Sequence, residues 1–255
     1  MQLIWAALAG MVVYLDTTAI AQILICQPII ACPLWGYFVG EPEVGLIIGA
    51  VFQLIYLGNL QIGAARFAEG NIGAFIAVVL ASQFCESNNS SYPIALLLAF
   101  FIGLVAAQAG SYLAPTVRRI VGRIVPQYVL AAEQGDSGMV RSWFMLAVGV
   151  HLVAGFVYSL FWLVIGSYSI DLFSQTSIYH RLVESLTDGP LYSDRAILLF
   201  GSILGAVCAV AFRVLIRKKT IPLFIFVTIF GAIVMVWYFS HLVDRTYSLE
   251  MGCLL

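Results

Sequence analysis

The sequence predicts an all-α membrane protein, a polytopic bundle of helices, and three observations carry that expectation. Of 255 residues, 62% are hydrophobic and 10% charged, where a soluble domain carries about 25% charge. The mean hydropathy is +1.00. The charged residues gather in a few connectors, leaving apolar stretches long enough to cross hydrocarbon, which takes about 20 residues of helix. Helices are the expected spanning element because they satisfy their own backbone groups in lipid. The alternating strands of an outer-membrane barrel are missing. A net charge of −1 speaks against nucleic acid as a partner.

The first apolar run, about residues 3–25, contains Asp16, Thr17, Thr18 and Gln22. Its start, MQLIWAALAG, has no basic region of the secretory kind, so it is expected to be a retained first helix. Residues 27–43, QPIIACPLWGYFVGEPE, hold Pro28, Pro33, Gly36, Gly40 and Pro42 in a stretch too short to cross. Proline removes backbone donors, so a proline-broken, re-entrant segment is expected here. Such backbone is tolerated at membrane depth only when buried in protein or lining a watery cavity. Further helices are expected at about 44–58, 71–84, 94–114, 142–168, 196–216 and 222–240.

Residues 116–141 differ in character. Arg118, Arg119 and Arg123 alternate with Ile120, Val121 and Ile124, and Pro126 interrupts them, a pattern suited to a helix lying in the membrane interface. This segment and 213–219 carry the densest Arg and Lys, so both are expected on the cytoplasmic side. Counting spans then places the N-terminus inside and the segments 85–93 and 169–195 outside.

Asp16 is the most informative single residue. A carboxylate within a span costs at least a few kcal/mol on insertion scales, about 2.5–3.5 at the centre, so it normally faces a cavity or a partner. A helix-end carboxylate that caps a neighbour is the alternative. Gln22, Gln27, Gln53, Asn59 and Gln61 cluster in sequence around the proline-rich segment. Carboxamides both donate and accept, which suits sugar hydroxyls. They also hydrogen-bond between helices, for about 0.6–2 kcal/mol each. Arg66 and Glu69 could pair across a turn. Gly45, Gly49, Gly58 and Gly63 permit close helix approach. Cys26, Cys32, Cys85, Cys208 and Cys253 form no CxxC pair, so no disulfide or metal framework is expected. His151, His180 and His241 lack ligand spacing, and no phosphate loop or nucleophile elbow is visible. Neither a catalytic residue, a metal nor a cofactor is expected.

From Asp16 onward, the run QPIIACPLWGYFVGEPEVGLIIGAVFQLIYLGNLQIGAA resembles the IIC component of the mannose-class (mannose–fructose–sorbose) sugar phosphotransferase systems. That family reads roughly Asp, a basic residue with Pro, an apolar run, LxGxxxGD, GxxxGxxxELxxLG, then IGAA and PPD. The spacing is kept from Pro28 to Ala65. The resemblance implies an elevator-type permease, one domain over residues 1–255, in the bacterial cytoplasmic (inner) membrane. It further implies a IID membrane partner, separate IIA and IIB subunits that phosphorylate the incoming hexose-like sugar, and an oligomeric assembly. By position, Asp16, Gln22, Gln27, Gln53 and Asn59 would line the sugar path. Four positions depart from the pattern: Gln27 for Arg or His, Glu41 for Asp, Gln53 for the intramembrane Glu, and FAEG (67–70) for PPD, which leaves Glu69 near the acidic position. Losing a basic and an acidic group together is what replacing a charge pair by a Gln–Gln contact would look like. A sensory or changed-substrate homologue without coupled transport is the alternative function. An intramembrane enzyme lacks a nucleophile–base pair or metal-ligand set to support it.

Overall fold

The computed structural model describes residues 2–19, 23–57, 67–87 and 92–177, with Tyr179. All lie in the first of two compact units, Met1–Ile203. The spans expected at 196–216 and 222–240, and the basic connector 213–219, lie outside the described residues. Seven helices are described: α1 (Gln2–Thr18), α2 (Pro28–Val39), α3 (Pro42–Tyr56), α4 (Gly70–Ser87), α5 (Tyr92–Gly122), α6 (Val125–Glu133) and α7 (Ser137–Ser174). No strand occurs among the described residues. Among the described residues, two helical stretches, Leu96–Glu133 and Ser137–Ser174, are long and apolar enough to cross a membrane.

The segment expected to be broken by proline is helical. Pro28 opens α2 at the first helical position, where its missing N–H is an orphan anyway. Pro33 is carried inside the helix. The interruption falls instead at Gly40, which adopts φ +91° in the left-handed region that glycine enters freely. The Gly40 N–H donates to Tyr37 at 3.4 Å and the Glu41 N–H to Gly36 at 2.7 Å. These two bonds form the paired closure of a Schellman turn. Pro42 then opens α3, so Gly40 and Glu41 alone join two antiparallel helices of 12 and 15 residues.

The two arms touch along small residues spaced one turn apart. A Cβ on Gly45 would stand 2.4 Å from the Cys32 carbonyl oxygen, and one on Gly49 2.4 Å from that of Pro28. At the turn, a Cβ on Gly36 would stand 2.5 Å from the Glu41 carbonyl oxygen. The facing pairs 36/41, 32/45 and 28/49 therefore advance four residues per step on each arm.

Helix α4 is the centre of the bundle, contacting α1, α2, α3, α5 and α7. Ile72 to Ser82 are buried without exception, as expected of a helix that is apolar on every side. Trp35 of α2 meets Phe75 of α4 edge to face at 5.4 Å, and Phe52 of α3 meets Phe100 of α5 at 5.0 Å. Gly73 and Gly103 let α4 and α5 touch backbone to backbone. On the other side, α1 lies against α7, with Tyr14 over Gly155 and Gly10 over Ser159.

The basic segment 116–141 is not one helix. Helix α5 continues through Pro115 to Gly122 and carries Arg118 and Arg119 with it. Arg123 occupies the turn before the short α6, most of whose residues are exposed.

Candidate functional site

Four helix ends meet at one pole of the bundle: the C-terminal ends of α1 and α3 and the N-terminal ends of α2 and α4. Asp16, 8% exposed, stands in the last turn of α1. One of its carboxylate oxygens accepts from the Ile23 N–H at 2.9 Å. The other accepts from the Cys26 N–H at 2.9 Å. The carboxylate thus clasps both ends of the connector Ile23–Cys26 that leads into α2. Charge-assisted bonds to backbone N–H groups are among the stronger hydrogen bonds.

That connector carries local strain. Leu24 has φ +69°, a conformation that costs a β-carbon residue roughly 1–2 kcal/mol, and its carbonyl accepts from the Gln27 N–H at 3.1 Å. The bonds to Asp16 oppose its relaxation. Strain held by surrounding structure often marks functional sites.

Asn71, in the first turn of α4, ties the same pole together. Its side-chain amide donates to the Thr17 hydroxyl and to the Cys26 sulfur, each at 3.4 Å. The Thr17 hydroxyl donates to the Val13 carbonyl at 2.8 Å. Two residues earlier, Glu69 is 4% exposed. Its N–H donates to the Ala107 carbonyl of α5 at 2.9 Å, and Gly110 leaves room for its side chain.

Of the residues expected to line a sugar path, Asp16, Gln27 and Gln53 are described, while Gln22 and Asn59 lie outside the described residues, as do Gln61 and Arg66. Gln27 precedes α2 and its side chain makes no capping bond. The Gln53 side-chain oxygen is buried without a hydrogen-bond partner. Gln53 lies one turn beyond Gly49, whose position packs against Pro28 at the start of α2, next to Gln27. The α4 start joins them, because Gly70 abuts the Tyr56 ring, one turn beyond Gln53. Asp16, Thr17, Cys26 and Asn71 are therefore directly bonded, and Gln53 lies in the last turn of α3, the helix whose end meets the start of α4.

Asn71, Thr17 and Cys26 were not among the expected site residues. Asn71 follows the polar connector NLQIGAARFAEG and reads as loop composition. Its position two residues after the acidic Glu69, at a helix start, was the available signal.

The family model described as the sorbose-specific IIC component of a PTS system matches residues 1–242. A sorbose-specific EIIC component of Lacticaseibacillus casei is 34% identical over 77 residues, which is 30% of this chain and 26% of that protein. The mannose-specific EIIC component of Escherichia coli (strain K12) is 30% identical over 131 residues, 51% of this chain and 44% of its own length. A sorbose-specific EIIC component of Klebsiella pneumoniae is 27% identical over 149 residues, 58% and 50% of the two chains. The matches thus span half or less of these curated relatives. A solved structure described as that of a membrane protein superposes with a TM-score of 0.51 over 94% of each chain at 22% identity, a likeness of fold. With its family model matched over nearly its whole length, the chain belongs to the family of sorbose-specific IIC components of phosphotransferase systems.

Proposed function

We propose that this chain is the membrane-spanning permease subunit of a phosphoenolpyruvate-dependent sugar phosphotransferase system in the bacterial cytoplasmic membrane. It would form the translocation path with a IID partner, leaving phosphorylation to IIA and IIB subunits. The observation that carries the reading is the polar pole: a strained connector clasped by a buried carboxylate, together with a buried, unpartnered oxygen of Gln53 in the last turn of α3. A buried acceptor without a partner is costly, about 1–3 kcal/mol. A sugar hydroxyl is a donor that would relieve that cost.

Asp16 acts in this reading as a positioning residue for the connector, with lone pairs to spare for a hydroxyl. Gln27, Gln53 and Asn71 supply carboxamides, and Gln22 and Asn59 extend the path. The α2–α3 hairpin supports a re-entrant role, because arms of about 18 and 22 Å at 1.5 Å per residue fall short of a hydrocarbon core of about 30 Å. Seated on α4, it would travel with that helix in an elevator-type movement.

Uptake measured in cells that co-express IID, IIA and IIB tests the proposal. Gln53→Ala and Asn71→Ala are expected to lower uptake of the accepted sugar about tenfold or more, as losing a buried hydrogen-bond partner of about 1.4 kcal/mol does. If both variants insert normally and transport every accepted sugar like the parent, the site is wrong. If the parent chain with all partners takes up no sugar, the sensory alternative gains, since Gln27 and Gln53 replace charged family positions.

A further inference from the structure

The turn between α6 and α7 builds a second feature, far in sequence from the polar pole. Gly135 takes φ +69°, its N–H donates to Ala132, and the Asp136 N–H donates to Ala131, each at 3.1 Å. Asp136 then caps α7 at once, one carboxylate oxygen accepting from the Met139 N–H at 3.0 Å. This closure fixes α6 against the first turns of α7. Between them lies an open groove of about 440 Å³, lined by Tyr128, Ala132, Asp136, Val140, Arg141 and Phe144 among others.

The groove is apolar along its walls and carries one charge of each sign. Asp136 and Arg141 are both exposed, and they make no ion pair with each other. Phe144 and Met145, 49% and 54% exposed, continue the apolar surface away from the groove along α7. At 38 residues, α7 is about 57 Å long at 1.5 Å per residue, so its ends extend beyond a hydrocarbon core of about 30 Å. Trp143 precedes the groove residue Phe144 on the same helix and is of a residue type enriched at headgroup level.

We propose that this groove holds one membrane phospholipid with a primary-amine headgroup. The Arg141 guanidinium takes the phosphate, to which its planar fork of donors is suited. The free oxygen of Asp136 accepts from the ammonium. The first part of an acyl chain lies along Tyr128, Val140 and Phe144. An ammonium has three donors to give a carboxylate, whereas a trimethylated amine has none, so the acid selects between the two headgroups. An anionic headgroup without an amine would face Asp136 unpaired.

Native mass spectrometry of the full chain, delipidated and titrated with dioleoyl phosphatidylethanolamine, phosphatidylcholine or phosphatidylglycerol, tests this directly. The amine lipid is expected to be retained about fivefold more strongly than either other lipid, the effect of one charge-assisted bond of about 1 kcal/mol at an exposed site. Arg141→Gln should abolish that retention and Arg141→Lys should keep most of it. Asp136→Asn, which preserves the helix cap, should reduce the amine lipid to the level of phosphatidylcholine. Equal retention of the three lipids by the parent chain, or parental behaviour of Arg141→Gln, overturns the proposal. Retention led by phosphatidylglycerol overturns it too, pointing to a basic surface without headgroup selection.

Discussion

Replacing Asp16 by Asn isolates the clasp on the α1–α2 connector. The carboxylate serves two backbone N–H groups, at Ile23 and Cys26, with one oxygen each. An amide keeps one acceptor and turns a donor toward the other N–H. One charge-assisted bond is lost, about 1.5–3 kcal/mol, and the other falls to neutral strength, roughly a further 1 kcal/mol. The left-handed Leu24 adds its own push toward opening. Even the lower end, about 2.5 kcal/mol, multiplies the open population of the connector about seventyfold. Hydrogen–deuterium exchange read on peptides covering residues 20–31 reports that population, because amide protection scales with local opening free energy. Exchange at Ile23 and Cys26 should accelerate at least about tenfold, while peptides from the centre of α7 keep parental rates. If Asp16→Asn exchanges within about threefold of the parent across this connector, the carboxylate does not hold it and the positioning role fails.

Gly45→Ala should destabilise the hairpin by about 1–3 kcal/mol through overpacking, since the new Cβ meets the Cys32 carbonyl at 2.4 Å; a thermal melt equal to the parent's would refute the register. Gly40→Ala meets no atom within 4 Å and should cost only the left-handed backbone, about 1–2 kcal/mol. A melt lower than that of Gly45→Ala would show that contact, not conformation, is the cheaper term. Ser159 is fully buried with no partner for its hydroxyl, so Ser159→Ala should leave the melting temperature unchanged or higher. A clear drop would reveal a bond the structure does not contain.

Helix existence was readable because burial in lipid imposes it: about 20 apolar residues with no charge have few other uses. The glycines at 45 and 49 also signalled close approach correctly, since spacing by one turn puts them on one face. Proline misled the reading of 27–43. Its cost in a helix interior is real, yet Pro33 lies in a short arm whose partner glycine, Gly45, admits it closely, and tertiary packing overrides the local preference. The end of α5 was placed too early for the same reason at Pro115. Asp16 stood out because an intramembrane carboxylate demands a partner. Which atoms supply that partner depends on where the connector Ile23–Cys26 comes to lie, and no spacing rule contains that. Asn71 was missed because a single Asn after a polar connector looks like any loop residue until α4 is docked against α1.

The pair Gln27 and Gln53 offers the sharpest test of how location constrains chemistry here. Gln53 lies one turn beyond Gly49, which packs against Pro28, the residue after Gln27, and both positions are neutral where the resembling family pattern is charged. If the two face one another, restoring a single charge should be harmful and restoring both should not. Gln53→Glu alone puts a carboxylate where a buried oxygen has no partner, and an unpaired buried charge costs about 3–5 kcal/mol where a former partner is missing. Gln27→Arg alone carries a smaller penalty, because that residue is only half-buried. The double variant should recover part of both losses, a coupling of about 1–3 kcal/mol for residues in contact. Thermal melts of the four proteins close the cycle without any assumption about the sugar. Additivity within about 0.5 kcal/mol, as found for independent sites, would mean that the two carboxamides do not meet, and the neutral contact would then be no remnant of a charge pair. A coupled cycle together with parental sugar uptake would separate the two roles: the pair would hold the hairpin to the connector, and recognition would fall to Asn71 and the residues beyond it.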